Sequence, residues 1–292
     1  MDLKKFDIFN FNRPGPGVPE DEPDLPKWRL FFRQFFSKII QILGLNFLYV
    51  LFSIPSLIVA YFASYWILGY SFDKFFNLKI ETDFVAMITP RVILGLMLVM
   101  IPAVAFGPIH AGFTYVLRNF SRQRHAYVWW DFKDHALANF KQGMIVTLIN
   151  FVIIFILGLA INSYAQFAPA FTGIISYGAI GFVSLALVIF LGMNMYIYPL
   201  MISYNMKIRE LYKVAYSFAF LRLLPNILII LGIAIVLTLA FGFIPIVGVI
   251  LTAVILPGAI LYAVNFFVDP IIKKFEEEQD EFEAESDSDL IE

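Results

Sequence analysis

Long apolar stretches at 39–66, 91–117, 143–164, 174–202 and 226–268 alternate with shorter segments that carry nearly all the charge. A membrane-crossing helix takes about 20 mostly apolar residues, so each of the first four stretches predicts one span. The fifth is long enough for two. It contains FGFIPIVG at 241–248, a Gly/Pro punctuation that predicts a tight turn. The expectation is an all-α, polytopic helical membrane protein with six transmembrane helices.

Ahead of the first, third and fifth spans the pattern changes. WRLFFRQFFSKII places Trp28, Phe31, Phe32, Phe35, Phe36 and Ile39 on one face of a helix, with Arg29, Arg33 and Ser37 off it. WWDFKDHALANFKQ and IRELYKVAYSFAFLR stand in the corresponding places. These predict short interfacial helices near 28–38, 125–140 and 207–222 on the cytoplasmic surface. An aromatic precedes an asparagine by ten residues in each (Phe36 and Asn46, Phe140 and Asn150, Tyr216 and Asn226). The returning spans carry Pro108, Pro199 and Pro257. The pattern reads as three tandem units, each an interfacial helix followed by a transmembrane hairpin.

Charge orients the spans. Of the 21 Lys and Arg residues, all but Lys74, Lys79 and Arg91 fall on one side of a six-span arrangement. The positive-inside rule then places both termini in the cytoplasm. The chain divides into a Pro/Gly-rich cytoplasmic leader (1–27), a membrane domain (28–274) and an acidic cytoplasmic tail (275–292).

Composition agrees with this picture. Of 292 residues 60% are hydrophobic and 33 are Phe, against about 45–50% apolar residues in a soluble domain. Mean hydropathy is +0.78. A net charge of −2 argues against a nucleic-acid partner. The absence of cysteine removes disulfides and thiolate chemistry. The N-terminus does not read as a signal peptide. No Lys, Arg, Asp or Glu stands near the middle of a predicted span, which lowers the expectation of a proton-driven pump. No phosphate-cradling loop, nucleophile elbow or zincin motif occurs, so no enzymatic activity and no cofactor are expected.

The candidate interaction residues have plain and sharper readings. In FNRPGPGVPEDEP (11–23), Arg13 can meet a carboxylate or a lipid phosphate. The segment is either a stiff tether or a strap folded over the cytoplasmic mouth of the bundle. His110 lines a cavity, titrates as a switch, or, the simpler reading, is hydrogen-bonded inside the bundle near carbonyls freed by Pro108. Asn150 and Asn194 read as interhelical hydrogen-bonding groups or as the lining of a polar cavity. Asp131 and His135 are one helical turn apart beside Asp134. That arrangement allows a metal site, though an exposed polar face beside the interfacial Trp129 and Trp130 is the simpler reading. Arg118, at the end of the second span, is expected to tie that span to lipid headgroups or to Asp131 or Asp134. The tail, with ten acidic residues and no base, reads as solvated and largely disordered, with contact to the basic loops as the alternative.

FNRPGPGV (11–18), GPIHAGFTYVLRNF (107–120) and WWDFKDHALANFKQ (129–142) together resemble the YesL-type family of bacterial integral membrane proteins. The likeness runs through about 6–142 and is mostly hydropathic beyond that. His110 departs from it, standing where a smaller residue is expected. The family has no established activity. The resemblance implies a bacterial cell membrane and association with carbohydrate uptake systems, and it supplies no catalytic residues. The expected function is therefore that of a non-catalytic membrane accessory protein. Its cytoplasmic face would engage a carbohydrate ABC transporter or a membrane kinase. A small transporter or channel for an uncharged or amphiphilic solute is the alternative.

Overall fold

The computed structural model describes residues 26–55, 58, 106–167, 173–204, 206–242 and 244–289. Arg13, the leader and the outward part of the first predicted hairpin lie outside the described residues. Within them the secondary structure is entirely α-helical. The helices are α1 (Lys27–Ser37), α2 (Ile39–Phe52), α3 (Gly107–Ser121), α4 (Val128–Ala138), α5 (Phe140–Phe167), α6 (Gly173–Ser203), α7 (Ile208–Leu221), α8 (Leu223–Gly242), α9 (Pro245–Val254) and α10 (Leu256–Asp289). Four of these are long and apolar enough to cross a membrane: α5, α6, α8 and α10. The pair α1 and α2, bent by 72°, makes a fifth if taken as one broken span.

Three helices form the interior. The C-terminal half of α6, the N-terminal half of α10 and the whole of α3 pack against one another, and α3 is buried almost throughout. Of the membrane-length stretch of α10, 61% is buried, and of α6, 39%; the figures for α5 and α8 are 11% and 17%. The outer helices thus present apolar side chains such as Leu148, Ile156, Leu228 and Ile235 outward.

The short helices α1, α4 and α7 occupy the predicted places. Each runs antiparallel along an inner helix. On α3, Tyr115 meets His135 of α4 and Gly112 meets Ala136, and further down Gly107 meets Gly143 of α5. On α6, Tyr196 meets Phe218 of α7, and Gly192 lies against Asn226 of α8. On α10, Phe266 meets Phe31 of α1, Tyr262 meets Phe35, and Gly258 meets Ile42 of α2. The expected surface helices are therefore also wall elements of the core. Their buried residues explain this: Leu211, Ala215 and Ala219 of α7 repeat at helical spacing. So do Phe132 and Ala136 of α4.

Each short helix is separated from the next by one residue: Lys38, Asn139 or Arg222. These breaks do not share the register of the ten-residue aromatic–asparagine spacing. Phe36 precedes its break, Phe140 follows its break, and Tyr216 lies well inside α7.

The helices break within the predicted tight turn at 241–248, since α8 runs to Gly242 and α9 begins at Pro245. The segment that returns from it is broken again at Ile255. Pro257 has no N–H to offer the carbonyl of Ala253. Asn46, fully buried on α2, repairs the gap. Its Nδ2 donates to the carbonyls of Thr252 and Ala253 at 3.2 and 3.0 Å, and its Oδ1 accepts from the Gly258 amide at 2.9 Å. A break in an apolar setting persists only where such groups find partners.

The acidic tail departs from expectation, because α10 continues as helix through Asp289. Lys273–Glu277 and Lys274–Glu278 pairs at 3.6 and 3.3 Å support it one turn apart.

Candidate functional site

The inner helices share a register. Gly107, Gly192 and Gly258 each face the beginning of an outer helix, at Thr147, Asn226 and Asn46 respectively. The Gly107 amide donates to Thr147 Oγ1 at 2.7 Å, as Gly258 does to Asn46. A Cβ on Gly107 would collide with the Gly143 carbonyl, so the approach of α3 to α5 requires glycine there. Asn226 accepts from the Tyr196 hydroxyl at 2.8 Å and donates to the Ala219 carbonyl at 3.2 Å. On α5 the residue that meets the inner-helix glycine is Thr147, and not Asn150.

Eleven residues beyond these glycines (107 to 118, 192 to 203, 258 to 269) stand Arg118, Ser203 and Asp269, which meet at the basic end of the bundle. Arg118 Nη1 donates to Ser203 Oγ at 2.6 Å, and its guanidinium lies 5.3 Å from the Tyr115 ring centre. Arg122, just past α3, donates through Nε to both carboxylate oxygens of Asp269 at 2.8 and 3.0 Å. Its Nη2 lies 2.7 Å from Asp269 and 3.3 Å from Glu276. Burial opposes the Arg122 charge, but the Asp269 and Glu276 carboxylates outweigh it and hold its pKa above the ordinary value. The four charges cancel. This clasp ties α3 to α6 and α10.

Arg118 therefore does not pair with Asp131 or Asp134. Asp131 accepts from the Tyr127 amide at 2.8 Å, satisfying a free N–H at the start of α4, and Asp134 is exposed. His135 stacks on Tyr115 at 3.3 Å between ring centres. Burial, then the Arg118 charge, lowers its pKa from the ordinary value. Among the described residues no group of three or more His, Cys, Asp or Glu is placed to hold a metal ion.

Deeper in the bundle the candidate polar residues are partnered. His110 Nδ1 is 3.3 Å from the Tyr49 hydroxyl, and its ring meets Tyr198 edge-on at 4.3 Å. Asn150 donates to Asn194 Oδ1 at 2.6 Å and accepts from the Tyr212 hydroxyl at 2.7 Å, while Asn194 donates back to the Phe190 carbonyl at 2.9 Å. Both asparagines are fully buried. Two cavities open beside α8, and neither is lined by His110, Asn150 or Asn194. These residues fasten α5, α6 and α7 together, and His110 joins α2, α3 and α6.

Arg122, Thr147, Ser203, Tyr212 and Asp269 were not singled out from the sequence. The signal that finds three of the meeting points is the glycine followed eleven residues later by a polar residue, which hydropathy averages away. No family model, curated protein or solved structure matches this chain.

Proposed function

We propose that this is a non-catalytic accessory protein of a bacterial cell membrane, akin to the YesL-type family. In this reading it has six spans, both termini are cytoplasmic, and three repeated units pair a short helix with a transmembrane hairpin. It engages a carbohydrate uptake transporter or a membrane kinase through its cytoplasmic face. One observation carries the reading: the interior groups His110, Asn150 and Asn194 have partners within the bundle, whereas exposed aromatic and basic side chains gather on α1, α4 and α7. Trp28, Phe32 and Phe36 on α1, Trp129 and Trp130 on α4, and Tyr216 and Phe220 on α7 are all exposed. A structure built to move a polar solute needs polar groups free to meet it. Purification from native membranes in mild detergent tests the proposal. Reproducible recovery with a transport or kinase subunit is expected, and reproducible recovery of the chain alone contradicts it.

Of the alternatives, transport of an amphiphilic solute draws support from the apolar cavity between α8 and α10. It predicts uptake or release of such a solute by proteoliposomes holding this chain alone.

A further inference from the structure

We infer that the groove between α8 and α10 holds one anionic phospholipid, with its phosphate on Arg222 and an acyl chain along α8. This goes beyond either reading of function, and rests on the basic end lying at a membrane surface.

The apolar cavity encloses about 640 Å³. Its walls include Leu228, Gly232 and Val236 of α8, Ala263 and Phe267 of α10, and Phe31 of α1. A second cavity of about 500 Å³ adjoins it at the basic end, where Lys274 and Glu278 join apolar walls that include Phe218 and Phe275. The two share Arg222, Pro225 and Ile271, so an apolar slot opens at Arg222 onto a cavity whose lining also carries Lys274 and Glu278. From Arg222 to Val236 the helical rise is about 21 Å. That length accommodates a chain crossing one leaflet, about half of a 30 Å hydrocarbon core.

Charge selects the headgroup. Arg122 is committed to Asp269 and Glu276, and Lys274 to Glu278. Arg222 makes no ion pair among the described residues, is exposed, and stands where the apolar wall ends. A guanidinium there presents parallel N–H groups to a phosphate. A neutral amphiphile would leave it unmatched, and a small anion would leave the slot unfilled. A phospholipid satisfies both.

Native mass spectrometry of the full chain, released from nanodiscs of equal phosphatidylglycerol and phosphatidylcholine with matched chains, reads the site. Retention of phosphatidylglycerol should exceed that of phosphatidylcholine by about fivefold, the effect of one well-placed basic residue. Arg222→Gln should erase the preference. Lys213→Gln, which removes an equal charge outside both cavities, should preserve it. Gly232 has open space where a Cβ would stand, so Gly232→Leu should fill the slot and lower retention of both lipids by a similar factor. Ala263→Leu fills it from the opposite wall and serves if the first variant does not fold. Glycerol phosphate at the same concentration should not displace the lipid. Equal retention of the two lipids by the unaltered chain overturns the inference, as does a preference that survives Arg222→Gln. Undiminished retention with the slot filled, or displacement by glycerol phosphate, also overturns it.

Discussion

Helices α5 and α10 are both long enough to cross a membrane, yet they solve opposite problems. The more apolar, α5, has few buried residues, and the less apolar, α10, is mostly buried. In water the order would be reversed. In lipid, apolar surface gains nothing by leaving the tails, and helices associate through close packing and hydrogen bonds. The polar groups therefore mark the interior: Asn265 and Asp269 on α10, Asn194 on α6, and His110, Thr114 and Arg118 on α3 are all buried. The glycines that let α3 and α10 approach their neighbours belong to the same helices.

This contrast makes graded predictions. The largest effect is expected at Asn46, whose side chain serves three backbone groups at the break between α9 and α10. Asn46→Leu keeps the volume and abandons those groups, and should cost about 2–4 kcal/mol. Reversible unfolding in mixed micelles measures it, and a change within experimental error contradicts the role given to Asn46.

Next is Arg122→Gln, which leaves Asp269 and Glu276 without their cation. A loss of about 1–3 kcal/mol is expected, below the value for a fully buried pair because the site is at the rim. Adding Asp269→Asn should recover part of the loss, and the double-mutant cycle reads the coupling directly.

The first contrast was legible in part. Hydropathy marked the apolar stretches, and aromatic spacing located α1, α4 and α7, because both signals are local. The partners of Asn46 were not legible, since they lie more than 200 residues away. The ten-residue spacing pointed to Asn150, whereas Thr147 is the α5 residue bonded to Gly107, because Phe140 lies on α5 itself while Phe36 and Tyr216 lie on the short helices before their breaks. Arg118 stood out as a basic residue at a span's end. Its bond to Ser203 instead of Asp131 follows from α6 reaching the same level, which no local pattern encodes. The tail was read from its charge alone, and the ion pairs spaced four apart that continue α10 into it were overlooked.

A smaller effect is expected from acid. His135 has a folded-state pKa below its ordinary value of 6.5, so folding favours the neutral ring. Its contribution is complete above about pH 6.5 and declines as pH falls below that, where the unfolded chain takes up the proton first. Unfolding midpoints at pH 7.5 and 5.5 should differ more in the unaltered chain than in His135→Gln, and equal differences would remove His135 as a source.

The smallest effect is expected on the outer wall. Ile156, 58% exposed on α5, meets lipid in the folded chain, and Ile156→Ala should change stability by less than about 0.5 kcal/mol. A loss comparable to that of Asn46→Leu would place α5 inside an interface.

The inner–outer division is tested most directly in the unaltered chain in proteoliposomes. A membrane-dissolved diazirine is photolysed to a carbene, and insertion sites are read by peptide mass spectrometry. The account predicts strong labelling at Leu148 and Ile156 on α5 and at Leu228 and Ile235 on α8, with little at Ile197 on α6 or Leu261 on α10. Labelling of Ile197 and Leu261 as strong as that of Ile156 would contradict it.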